Sequence, residues 1–137
     1  MLKKITYNQL NPRQKEIYNF QKLAGELADY GFNCIKLADD WNGADFLAYH
    51  KDGKEALRVQ MKARMTIAKK YIGQNLFIAF PLRGFWYLIE HDKLISIIKK
   101  NTPWLDTSSW REKGIYHSAN PSAKLQKAIQ HARINSK

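Results

Sequence analysis

Apolar residues recur at helical spacing early in the chain, where Ile17, Phe20, Leu23, Ala24 and Leu27 form one stripe. Asn11 supplies an N-cap and Pro12 a pre-set first helical φ, so a helix is expected from about Pro12 to Tyr30, closed by Gly31. The pattern then shortens to strand-like runs. Phe32 to Leu37 reads as a first strand, Ala38 to Gly43 as a loop, and Ala44 to His50 as a second strand. Asp52-Gly53 centres a hairpin turn, and a third strand runs from Ala56 to Arg64. Asn75 to Phe80 and Phe85 to Ile89 read as two more strands, the former ended by Pro81. A helix opens at His91 or Asp92 and runs to Lys100. Thr102 to Asn120 is irregular, anchored by Trp104, Trp110 and Tyr116, and a last helix runs from Pro121 to Ile134. A helix, several strands and two more helices make an α/β arrangement on a mixed sheet.

The third strand carries the chemical interest. Leu57, Val59, Met61 and Ala63 fall on one face, and Arg58, Gln60, Lys62 and Arg64 on the other. The first face expects an apolar partner, the first helix. The second is either a solvated polar face or one wall of a site. Pairing about the Asp52-Gly53 turn sets Asp45 opposite Gln60, so a carboxylate, an amide oxygen and the Lys62 ammonium converge. Asp45 also fits a plain turn or capping role. Asp39, Asp40 and Trp41 fit turn positions better than extra metal ligands.

Charge sharpens the picture. Twenty-three Lys and Arg against twelve Asp and Glu give a net charge of +11, which suits a polyanionic partner. The cations are scattered rather than gathered on one amphipathic helix, which argues against a membrane surface. No run of about 18 apolar residues and no secretory leader is present, so a cytoplasmic protein is expected. With 137 residues, one domain is expected. The lone Cys34 suits a core position better than a nucleophile. His50, His91, His117 and His131 lack metal-ligand spacing, and no Gly-rich phosphate loop or nucleophile elbow is present.

Gly43-Ala44-Asp45-Phe46-Leu47-Ala48, the hairpin and Val59-Gln60-Met61-Lys62, preceded by a helix and a strand, resemble the core of the PD-(D/E)xK nuclease superfamily. The resemblance spans residues 19–64. It implies a restriction-endonuclease-like fold, a mixed β-sheet flanked by α-helices, and Mg²⁺- or Mn²⁺-dependent cleavage of DNA. Asp45, Gln60 and the Met61 carbonyl would hold the metal, and Lys62 would position a water. Arg58, Arg64, Lys69 and Lys70 would meet flanking phosphates, or serve solubility alone. Gln60 replaces the family's usual acid, in the manner of Gln-x-Lys members. Its carbonyl still suits a hard cation but brings a dipole instead of a charge. Many relatives add a helix acid. Gln21, at the edge of the apolar stripe, is preferred for that place over Glu26, which is expected to face solvent. Cleavage of both strands would need two sites, hence a homodimer. The alternative is a non-catalytic DNA- or RNA-binding module on a degenerate nuclease fold.

Overall fold

The structure, a computed structural model, describes residues 1–134, with backbone alone at 40 and 41. The expected roles of the Asp40 and Trp41 side chains lie outside the described residues. Helix α1 spans Pro12–Ala28. The Asn11 side chain accepts from the Gln14 amide (2.8 Å) and the Gln14 side chain accepts from the Asn11 amide (3.0 Å), a capping box that satisfies two exposed donors. Gly31, at φ +86°, takes the left-handed conformation that ends the helix.

Strands β1 (Phe32–Trp41), β2 (Ala44–His50) and β3 (Ala56–Met61) form an antiparallel meander. Strand β4 (Met65–Ala68) leaves it to pair with β7 (Ile115–Ser118) in a separate two-stranded sheet. Strands β5 (Phe77–Leu82), β6 (Phe85–Glu90) and β8 (Arg133–Ile134) complete the main sheet, whose order is β1-β2-β3-β5-β6-β8. β3 and β5 are parallel, and the other neighbours are antiparallel. Helices α2 (His91–Asn101) and α3 (Ala123–Ala128) follow. The expected class, a mixed sheet flanked by helices, is the observed one.

Each face of the sheet has its own core. Leu23 and Leu27 of α1 bury against Phe46, Ala48, Val59 and Ala79. Full burial of each leucine contributes on the order of 2 kcal/mol, and Leu23→Ala would cost about 2–5 kcal/mol. On the other face, Leu94 and Ile98 of α2, Leu125 of α3 and Ile129 just after it pack on Ile78, Phe80 and Ile89. Trp104 and Trp110 anchor the segment before β7 there, and Trp104 stacks at 4.4 Å on Tyr116 of β7, a strand inside the stretch expected to be irregular.

Several boundaries differ from expectation. β1 runs on through the expected loop because Asn42 (φ 52°) and Gly43 (φ 86°) make a two-residue turn with both residues left-handed. A β-carbon on Gly43 would lie 2.7 Å from Leu76 Cδ1, so a larger residue there would have to push that methyl aside. β3 stops at Met61, so Lys62, Ala63 and Arg64 are not on it. β5 begins later and continues through Pro81, whose missing N–H is tolerated near a strand end. The last helix is only Ala123–Ala128, because Arg133 and Ile134 pair with Tyr87 and Trp86 as an edge strand. Ile17 is 43% exposed. The buried stripe is Phe20, Leu23 and Leu27, and Ile17 lies roughly a quarter turn from its centre.

Candidate active site

The β1–β2 ladder holds Lys36 against Phe46, and Trp41 against Ala44. Between those pairs β1 has several more residues than β2. This bulge leaves Leu37, Ala38 and Asp39 outside the ladder, lining a cavity with Asp45. The gap is a cavity of about 430 Å³ at the end of the sheet. Asp45, Gln60, Met61 and Lys62 all line it.

The β2–β3 register follows the expected pairing, with Phe46 opposite Val59 and Leu47 opposite Arg58. Asp45 therefore meets the end of β3, and its Oδ2 accepts from the Met61 amide at 2.9 Å. Gln60 is buried at 7% exposure, and its Oε1 has no hydrogen-bond partner among the described residues. A buried amide oxygen left in this state costs about 1–3 kcal/mol. Its chemistry, a hard oxygen beside a carboxylate, fits a divalent cation. Among the described residues, no three His, Cys, Asp or Glu side chains converge to hold a metal by themselves. The Lys62 backbone is held by its amide donating to the Ala79 carbonyl (2.8 Å), and its ammonium lies 5.7 Å from the Tyr71 ring centre.

The helix contribution differs from expectation. Gln21 is exposed and does not line the cavity, because losing Ile17 from the stripe turns the buried face away from it. Glu26 is half-buried, and its Oε2 is shielded from solvent with no hydrogen-bond partner among the described residues, so it is not the solvated acid expected. Arg13, Glu16 and Asn19 line the cavity instead. Glu16, Phe20, Leu23 and Leu27 fall at i, i+4, i+7 and i+11. The legible signal for Glu16 was thus an acid on the continuation of an apolar stripe. Asp39, expected at a turn position, lies instead on β1 and lines the cavity, as does Lys36, which pattern alone did not single out.

The candidate phosphate contacts scatter. The Arg58 guanidinium donates to the carbonyls of Gln74 (2.6 Å) and Asn42 (2.9 Å), tying the β1–β2 turn to the loop before β5. That geometry occupies Arg58 with the fold. Arg64 is exposed near His117 Nδ1 (3.5 Å). Lys69 donates to the Arg111 carbonyl (3.3 Å), and Lys70 lies over the Tyr71 ring. Burial pushes the Cys34 thiol up to about 11, which keeps it protonated and unreactive. Among the described residues no helix is long and apolar enough to cross a membrane.

These features define an α/β protein with a polar cavity where a bulged hairpin meets the end of a parallel strand pair. No family model matches the chain, and no curated protein matches it. Among solved structures, the chain is similar to Hjc, a Holliday junction resolvase from the archaeal hyperthermophile Archaeoglobus fulgidus. The identity is 19%, the overlap 54% of this chain and 76% of that one, and the TM-score 0.42. Likeness at this level does not define a family for the chain.

Proposed function

We propose that this protein is a divalent-metal-dependent endodeoxyribonuclease of the PD-(D/E)xK type, with its active site in the cavity between α1, β1 and the β2–β3 hairpin. One observation carries the reading: the buried Gln60 Oε1 has no partner among the described residues and sits in a cavity shared with Asp45 and Lys62. A structural glutamine is normally hydrogen-bonded at such depth. The cavity's charge supports the same reading. Arg13, Lys36 and Lys62 are balanced by Glu16, Asp39 and Asp45, so a phosphate would meet three carboxylates unless a cation accompanied it.

Asp45 and Gln60 Oε1 would hold Mg²⁺ or Mn²⁺, with Glu16 from the helix as a further oxygen donor. When bound, the metal supplies Lewis-acid polarisation of the phosphate and acidifies water. The Met61 amide fixes the Asp45 carboxylate by binding Oδ2. Lys62 orients the attacking water and offsets the charge that develops on the phosphate oxygens. Replacing a carboxylate by the Gln60 amide weakens metal affinity, because a dipole stands in for a full charge.

The test is nicking of supercoiled plasmid with Mg²⁺ or Mn²⁺. Wild type is expected to nick, while Asp45→Ala and Lys62→Ala do not and Lys62→Ala still binds duplex. Glu16→Gln is expected to lose activity chiefly at low metal concentration. Gln60 in place of an acid is also what decay to a binding module would leave. Wild-type protein that retains DNA with either metal and never cuts it would establish that second reading.

A further inference from the structure

The tip of the β5–β6 hairpin has an unexpected composition. Arg83 (φ 52°) and Gly84 (φ 82°) form a two-residue turn with both residues left-handed. Asn, Asp or Gly suits the first position of such a turn, and a long side chain there is strained. Here the chain places an arginine. Beside it is a depression of about 350 Å³ lined by Arg83, Phe85, Gln126, Lys127, Gln130 and Arg133. Its charged lining residues are all cations, and no Asp or Glu follows Glu112 in the sequence. The ion pairs among the described residues involve none of the three cations. Arg133 lies 4.2 Å over the Phe85 ring, which holds its guanidinium plane against the sheet edge.

Topology puts this patch at the cavity's end of the sheet. β3 and β5 are parallel with Met61 beside Ala79, so β5 runs three residues past that level to Leu82 before the turn. Arg133 is paired with Tyr87 on the far side of β6. At about 4.8 Å per strand and 3.3 Å per residue, the patch lies roughly 15–20 Å from Gln60. Along a duplex, at 3.4 Å per step, this is about five base pairs.

We infer that Arg83, Lys127 and Arg133 form a second phosphate-binding patch, which grips the backbone of duplex DNA about five base pairs from the bond presented to the cavity. This rests on the proposed function for its choice of ligand. The side chains suit that ligand: two guanidinium forks and an ammonium for phosphate oxygens, and the Gln130 amide as a neutral donor, while Gln126 Nε2 already donates to the Pro121 carbonyl (2.7 Å). The contacts read no sequence. They set where along the duplex the cavity falls.

The experiment is fluorescence anisotropy in EDTA with the full chain and a duplex of about thirty base pairs, across a salt series. The variant is Arg83→Asn with Lys127→Gln. Asparagine suits the left-handed turn and Lys127 is exposed, so the fold is preserved, which a thermal melt verifies. Each lost phosphate contact is expected to lower the slope of log K against log salt by about 0.9, and to weaken binding about 8-fold near 0.1 M salt. The double variant should therefore bind about 60-fold more weakly, with a slope lower by about 1.8. Arg83→Lys with Lys127→Arg should bind as wild type does. A folded double variant with wild-type affinity and slope overturns the patch, and if it still nicks plasmid the proposed activity survives. Patch-dependent binding without nicking leaves the patch standing and removes the activity. Equal patch dependence for a polyglutamate peptide overturns the assignment to nucleic acid.

Discussion

Replacing Gln60 by methionine separates a functional glutamine from a structural one. Methionine keeps the side chain's length and removes an amide oxygen that is buried without a hydrogen-bond partner among the described residues. An oxygen in that state costs about 1–3 kcal/mol, and burying a thioether at the same place adds apolar contact. Gln60→Met should therefore stabilise the metal-free protein by about 1–2 kcal/mol, which for a chain of this size raises Tm by about 3–8 °C. The metal should reverse the order of the two. Manganese at a hundred times its Kd stabilises a protein that binds it by about 2.7 kcal/mol, more than the substitution gains. Wild type should thus gain in Tm on titration, while the variant stays near its metal-free value and loses nicking. The assay is thermal unfolding followed by circular dichroism, first in EDTA and then along a Mn²⁺ series. A Gln60→Met protein that melts well below wild type in EDTA would refute the reasoning, since Oε1 would then hold the fold together. The gain in stability and the loss of activity are two consequences of one buried oxygen left without a partner among the described residues.

Two other perturbations follow from contacts outside the cavity. Arg58→Met should cost about 1–2 kcal/mol by freeing the Asn42 and Gln74 carbonyls, as urea unfolding would show, and leave the salt dependence of DNA binding unchanged. A drop of about one in that slope would make Arg58 a phosphate contact after all. His91 is fully buried, and its Nε2 accepts from the Ala68 amide (3.1 Å), so the ring is neutral with its proton on Nδ1, facing Asp92 Oδ1 (3.3 Å). Burial holds its pKa below the ordinary histidine value, although Asp92 pulls the other way. The unfolded chain therefore takes up the proton first. The His91 contribution is complete above about pH 6.5 and falls as pH drops toward the depressed value, by at most about 1.4 kcal/mol per pH unit. Urea midpoints at pH 7.5 and 5.5 measure it, and His91→Gln should flatten the difference.

Much of this protein was determined by local pattern. The Asn11 cap with Pro12, the Asp52-Gly53 turn and the alternation in Leu57 to Met61 are interactions between near neighbours, so they are legible along the chain. Because a hairpin's register is counted from its turn, Asp45 and Gln60 could be set opposite one another without coordinates. The rest depended on contacts distant in sequence. Only the packing of α1 across the sheet end decided that Glu16 and not Gln21 faces the cavity, because a stripe's centre shifts with each residue that fails to bury. Arg58 was assigned to phosphates by its charge and is tied to two carbonyls by its position. The bulge in β1 beside the cavity follows no local rule, since four residues of β1 face the single Asp45 of β2 between the Lys36–Phe46 and Trp41–Ala44 pairs. The patch around Arg83 joins a turn, a short helix and an edge strand that approach one another only when the sheet is complete. Sequence determined which groups were available and, through one turn, which two would meet. Tertiary structure decided which stay exposed to a ligand, because burial and competing partners are properties of the assembled chain.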